Sequence, residues 1–271
     1  MRFSLRFLAL VCGLVAVLAA AQPALAAPET GFYVFKDMRM GGVVEFRDAA
    51  TGRLVDRDVT LGEDGPGTAC TDSHHTMVGA RWKTFEQFRV NTGSVPAPLT
   101  GAATVVDLRS AHAAWEDPFV TDCPNAPSGS EYQSRYGGTT TVGASLARLE
   151  FDGVNAVAFG RLQGTFCAGP GVVACVVAFS KAGTFTEADL LIESNLAAQL
   201  DGDYSWTNGD TTDADSEGGE LALIDVATHE FGHWAGLGHV KNSPFLTMYP
   251  AVRDGMQTLG LGDMKGLLAR Y

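Results

Sequence analysis

Eleven consecutive residues constrain this chain more than any other stretch: His229, Glu230, Phe231, Gly232, His233, Trp234, Ala235, Gly236, Leu237, Gly238 and His239. Residues four apart share a helix face, so the spacing predicts a helix on which His229 and His233 present two imidazoles to one point, with Glu230 in the adjoining turn. Gly236 can take the left-handed conformation that stops a helix, which lets the chain turn back and deliver His239 from outside it. Three neutral imidazoles around one zinc ion leave the fourth tetrahedral position open to water. Structural zinc sites are closed by protein ligands, so this is the pattern of a catalytic one. Two histidines and one glutamate at fixed offsets arise by chance in a chain this long at roughly the one per cent level, and the added glycine and third histidine make coincidence about a thousandfold rarer.

The rest of the composition narrows the setting. Arg2 and Arg6 precede an apolar run from Phe7 to Ala21, followed by the small-residue triplet Ala24, Leu25, Ala26. This is the pattern of a secretory signal peptide cleaved after Ala26, because the run is short of the roughly 20 residues that span a bilayer. Lys plus Arg number 19 against 31 Asp plus Glu, a net charge of −12. That sign excludes nucleic acid as a partner, and after leader removal no membrane association is expected. The expected location is extracellular, and the expected form a monomer. Without Cys12 the cysteines are Cys70, Cys123, Cys167 and Cys175, an even number in an oxidising compartment, where thiols pair.

Along the mature chain, residues 27–67 read as β-rich, with strands at 31–35, 43–47 and 53–61 before a stretch holding Gly62, Gly65, Pro66 and Gly67. That segment is too short for a core of its own and is expected to be an N-terminal extension or short prosegment. From about residue 68 the pattern becomes mixed. Strands are expected at 83–91, 155–159, 172–179 and 187–193. Helices are expected at 100–115, where Val105, Leu108, His112 and Trp115 share a face, at 220–234, and from about Asp263 to the end. Strands first and two late helices predict an α+β fold.

The stretch from His229 to His239 has the form H-E-x-x-H-x-x-G-x-x-H and resembles the metzincin metallopeptidases. Leu246, Thr247, Met248, Tyr249 and Pro250 resemble the Met-turn of the matrixin branch, and the likeness to secreted bacterial matrixin-like peptidases extends over about residues 70–271. The resemblance implies a metzincin-type catalytic domain at 68–271: a twisted mixed β-sheet, an active-site helix and a C-terminal helix, in two lobes around a zinc cleft. It implies an endopeptidase acting on protein or peptide substrates, with His229, His233 and His239 as ligands, Glu230 as general base and Met248 as a hydrophobic floor beneath the metal. The Pro-Arg-Cys-Gly-type cysteine switch of the family is absent. Ala251 and Val252 stand where many matrixins carry a specificity-pocket tyrosine, so substrate preference does not transfer. The rival functions are a catalytically silent binding module and a zinc hydrolase of a non-peptide amide or ester.

Four cysteines allow three pairings. Cys167 and Cys175 close the shortest loop, around Gly169, Pro170 and Gly171, and a bridge from Cys70 to Cys123 would fasten the N-terminus of the catalytic domain. The competing role for Cys70 is a thiolate capping the zinc. Between Lys181 and Lys241 there are twelve acidic residues and no basic one. The stretch from Asp201 to Glu217 reads equally as a calcium-binding loop or a solvated acidic loop. His74 and His75 are expected to be exposed loop residues, and His112 a satisfied buried histidine.

Overall fold

The computed structural model describes residues 30–38, 41–51, 53–57, 68–144, 151–209, 219–241, 243–252 and 255–271. The expected signal peptide, and the carboxylates Asp210, Asp213, Asp215 and Glu217, lie outside these residues. The described elements run β1 (Thr30–Met38), β2 (Gly41–Asp48), β3 (Leu54–Arg57), β4 (Glu86–Val90), α1 (Gly101–Ala113), β5 (Ser134–Thr139), β6 (Ala156–Gly160), β7 (Val172–Lys181), β8 (Thr184–Glu193), α2 (Leu196–Leu200), β9 (Ser205–Thr207), β10 (Glu220–Ala222), α3 (Leu223–Trp234) and α4 (Leu261–Arg270). The fold is mixed α+β, as expected.

One eight-stranded sheet has the order β3-β2-β1-β7-β8-β6-β4-β5. Its β5, β4, β6 and β8 are parallel, whereas β7 runs antiparallel to β8 and β1 antiparallel to β7. The N-terminal strands therefore extend the same sheet that carries the later ones.

Strand β7, VVACVVAFSK, is buried along nearly its whole length. Alternate side chains of a strand point to opposite faces, and both faces of β7 are covered. Ala174, Val176 and Ala178 pack into a core shared with α1, α3 and the side chains of Tyr33 and Phe35. Cys175, Val177 and Phe179 pack into a smaller core with Phe32, Val34, Leu162 and Cys167. The bonds Cys70–Cys123 and Cys167–Cys175 are both formed, so Cys70 is a disulfide partner and carries no free thiolate.

Helix α1 starts at Thr100, whose hydroxyl accepts the Ala103 N–H at 3.3 Å. It ends at Ala113, short of the expected Trp115. Trp115 sits in the turn just beyond and is fully buried. Residues 220–222, expected to open the zinc helix, instead pair in parallel with β9, so α3 begins at Leu223. Strand β5 escapes a reading by periodicity because its sequence, SRYGGT, has no apolar alternation.

Glu187 on β8 is buried, and its carboxylate accepts the backbone N–H of Asp152 at 3.3 Å and that of Gly153. Burial outweighs these bonds and lifts its pKa from 4.5 to about 7. The folded protein keeps this proton where the unfolded chain releases it. The stability tied to Glu187 is therefore greatest below pH 4.5, is lost as pH rises to about 7, and is constant above that. Glu187→Gln is expected to remove this part of the pH dependence, as read from thermal unfolding of both proteins between pH 4.5 and 7.5.

The two disulfides close loops of very different length, with sequence separations of 53 and 8. Loop-closure entropy assigns about 4 kcal/mol to the longer loop and about 2.5 kcal/mol to the shorter. Replacing Cys70 and Cys123 by serine is expected to lower unfolding free energy by about 1.5 kcal/mol more than the same change at Cys167 and Cys175. Equal losses in denaturant titrations would contradict this ordering.

Candidate metal centre

The residues of α3 are buried almost all round, and side chains from three other parts of the chain donate to its carbonyls, one in mid-helix and two at its end. The Trp115 indole N–H donates to the Thr228 carbonyl at 2.8 Å, and that of Trp82 to the Trp234 carbonyl at 2.8 Å. The Tyr271 hydroxyl donates to the Ala235 carbonyl at 2.9 Å. The last carbonyls of a helix lack intrahelical partners, so the Trp82 and Tyr271 donors serve its open end, while the Trp115 bond to Thr228 anchors the middle of the helix.

Gly236 then reverses the chain with φ of 95°. The Leu237 N–H donates to the Gly232 carbonyl at 3.0 Å and the Gly236 N–H to the His233 carbonyl at 2.9 Å, the paired bonds of a Schellman turn. Beyond it the chain runs beside residues 76–78. Gly238 N–H donates to the Thr76 carbonyl at 3.0 Å and Val78 N–H to the Gly236 carbonyl at 3.0 Å, and the Thr76 hydroxyl donates to the His239 carbonyl at 2.8 Å. These contacts bring His239 back to the helix, where the sequence expected it.

The three imidazoles meet. His233 Nε2 lies 3.0 Å from His229 Nε2 and 3.1 Å from His239 Nε2, and one ring nitrogen from each falls within 4.8 Å of the others. His229 Nδ1 is 2.5 Å from the Thr247 carbonyl and His233 Nδ1 is 2.9 Å from that of Leu237. A carbonyl only accepts, so each Nδ1 carries the hydrogen and each Nε2 turns a lone pair inward, the tautomer that ligates metal. The donor set thus fits a zinc ion. Exposure is 3% at His229, 0% at Glu230, 0% at His233 and 1% at His239. Beside His229, a cavity of about 10 Å³ is bordered by Val226, Tyr249, Ala251, Val252 and Met256, room for about one water.

Met248 is buried against α3. A Cβ at Gly232 would collide with the Met248 sulfur and the Trp115 ring, so the glycine inside the histidine motif lets both pack against the helix. Asp263, the third residue of α4, is buried, and its carboxylate accepts the N–H groups of Thr247 at 2.8 Å, Met248 at 3.1 Å and Gly260 at 2.9 Å. Burial raises its pKa, against the pull of these bonds. Asp225, in the first turn of α3, accepts the N–H groups of Gly255 at 3.2 Å and Gln257 at 3.0 Å. The supporting roles of Gly232, Asp225 and Thr247 left no mark in the sequence pattern. Asp263 marked only a helix start.

Residues 178–271, the C-terminal third of the chain, match the family model described as matrixin, Peptidase_M10. Over these residues the chain is similar to the matrixins, metallopeptidases of the metzincin type. No curated protein matches it. The matched residues include the whole of α3, the reversal at Gly236, residues 246–250 and α4; the matrixin family implies zinc, and the three histidines form a cluster that could hold a metal ion.

Among the described residues the histidine trio is the one converging group of three metal-ligating side chains. Asp201 and Asp203 are exposed, and the remaining carboxylates of the expected calcium loop lie outside the described residues. His74 and His75 are half-buried and bond locally, His74 Nδ1 to Asp72 at 2.7 Å and His75 Nδ1 to the Ser73 carbonyl at 3.0 Å. His112 is buried between Phe88 and Phe231, with Nε2 3.7 Å from Glu86. Among the described residues no helix is long and apolar enough to cross a membrane.

Replacing Asp263 by alanine strands three buried N–H groups. The expected cost is about 2–3 kcal/mol in denaturant unfolding, with a fall in zinc affinity of about tenfold because Thr247 orients His229. Unchanged zinc affinity in a competition titration would show that the turn holds without the carboxylate.

Proposed function

We propose that this chain is a secreted zinc endopeptidase that hydrolyses peptide bonds with Glu230 as general base. The observation that carries the proposal is the convergence of three Nε2 atoms with the Nδ1 atoms of His229 and His233 occupied by carbonyls, with Glu230 beside His229 on the same helix. Under this reading residues 68–271 are the catalytic domain, 27–67 an extension or prosegment, and 1–26 a leader. The formed disulfides favour the extracellular setting.

His229, His233 and His239 would hold the zinc ion, which when bound would supply Lewis acidity to acidify water and polarise a scissile carbonyl. The Glu230 carboxylate takes a proton from the attacking water and returns it to the departing amine. The Thr247 and Leu237 carbonyls keep His229 and His233 in one tautomer throughout. Met248 and Trp115, both buried against α3, keep water from reaching the ligands from beneath.

Glu230→Ala is expected to keep its zinc, measured by elemental analysis, while turnover of a panel of denatured proteins falls by about 10²- to 10⁴-fold. Chelation abolishes activity in the same assay, and His239→Ala loses metal and activity together. Full activity in metal-free protein, or an undiminished rate in Glu230→Ala, would reject the mechanism.

A further inference from the structure

We infer that the N-terminal strands occupy the place of an extended peptide substrate, so that this chain holds itself latent by strand addition. The inference rests on the peptidase reading above. Strands β3, β2 and β1 are the last three on their side of the sheet. Without them β7 would be an edge strand, presenting a row of free N–H and C=O groups. An edge of that kind recognises extended peptides through main-chain hydrogen bonds, with alternate side chains filling pockets.

Strand β1 meets that description in detail. It pairs antiparallel with β7 from Thr30 opposite Lys181 to Met38 opposite Val172. Phe35, opposite Val176, lays its ring on His233, with centroids 4.5 Å apart and planes at 22°. A side chain of β1 therefore rests on a metal-ligating imidazole, and all three ligands and Glu230 are buried. The cavity at His229 holds about one water, far less than a peptide needs. On the opposite face Phe32 packs on Phe166 at 5.6 Å and Phe179 at 5.5 Å, which secures the strand from the side away from the histidines. Latency in this chain needs no cysteine thiolate, and Cys70 is engaged in its disulfide.

The test uses the zinc-loaded full chain and a zinc-chelating peptide hydroxamate, a probe that binds the metal without being hydrolysed. Phe35→Ala and Phe32→Ala each loosen β1, one at the histidines and one away from them. Both are expected to bind the probe at least tenfold more tightly than the unaltered chain, opposite to the effect of general destabilisation. In the unaltered chain, saturating probe is expected to raise hydrogen exchange at the amides of 31–36 and leave those of β8 protected. Equal affinity in all three proteins, probe bound with β1 still protected, or no binding by any of them would overturn the inference. Turnover is scored separately. Tighter probe binding by zinc-loaded variants that hydrolyse nothing would reject the peptidase reading and leave latency standing. Full hydrolysis by a chain whose β1 stays protected would do the reverse.

Discussion

Three imidazoles that aim lone pairs at one point repel each other, and much of the surrounding chain serves to hold them there. Each restraint reaches the ring through its other nitrogen or its backbone. His229 is held by the Thr247 carbonyl, and Thr247 in turn by the Asp263 carboxylate. His233 is held by the Leu237 carbonyl, and Leu237 is where it is because Gly236 takes a positive φ. His239 depends on that same reversal and on its carbonyl bond to Thr76. A cation placed between the three nitrogens converts the repulsion to attraction, so metal affinity and local stability are two readings of one arrangement.

The sheet supplies the other boundary of the site. Strand β7 carries an almost unbroken apolar run, and a strand of that kind needs cover on both faces and a partner along each edge. Helix α3 covers one face, the loop through Cys167 covers the other, and β8 and β1 take the edges. The N-terminal strands therefore contribute Tyr33, Phe35, Val44 and Phe46 to the main core while closing the approach to the histidines. Burial of these apolar side chains stabilises the fold and excludes peptide in a single step. Opening the site consequently costs part of the core, which makes latency a matter of degree set by how tightly these strands are docked.

What was legible in the sequence was local. The offsets from His229 to His239 fixed a helix and a turn, because the helical period and the conformational freedom of glycine act over a few residues. Apolar runs marked β6, β7 and β8 for the same reason, and loop length favoured the Cys167–Cys175 pairing that the structure contains. Apart from the Cys70–Cys123 bridge, which was the favoured pairing and is formed, long-range partners were not legible. Nothing in residues 31–36 says that they pair with 175–180, since any strand with two apolar faces can join any edge of matching character. Strand β5, with adjacent Gly137 and Gly138, is held by pairing to β4 rather than by its own propensity. Residues 220–222 became a strand only because β9 lies alongside.

The acidic residues carry the sharpest contrast between count and place. In a run without one basic residue, carboxylates suggest a solvated surface or a cation site. Several instead lie inside, taking backbone N–H groups. Asp189 accepts from Ala156 at 2.9 Å, Glu193 from Leu162 at 3.0 Å and Asn195 at 2.9 Å, and Asp225 from two residues after the Met-turn. The chemistry explains the choice. Irregular loops carry buried amides with no ladder to join, and an unpaired buried amide is costly. An ionised carboxylate is an acceptor only, with lone pairs enough for two or three such donors on one short side chain. Each acid therefore ties an irregular segment to a strand or helix that is already fixed. Among the described residues of that run, Glu187, Asp189, Glu193 and Asp225 act inside the fold; Asp225 ties down Gly255 and Gln257, while Thr247, which holds His229, is fixed by Asp263 beyond the run.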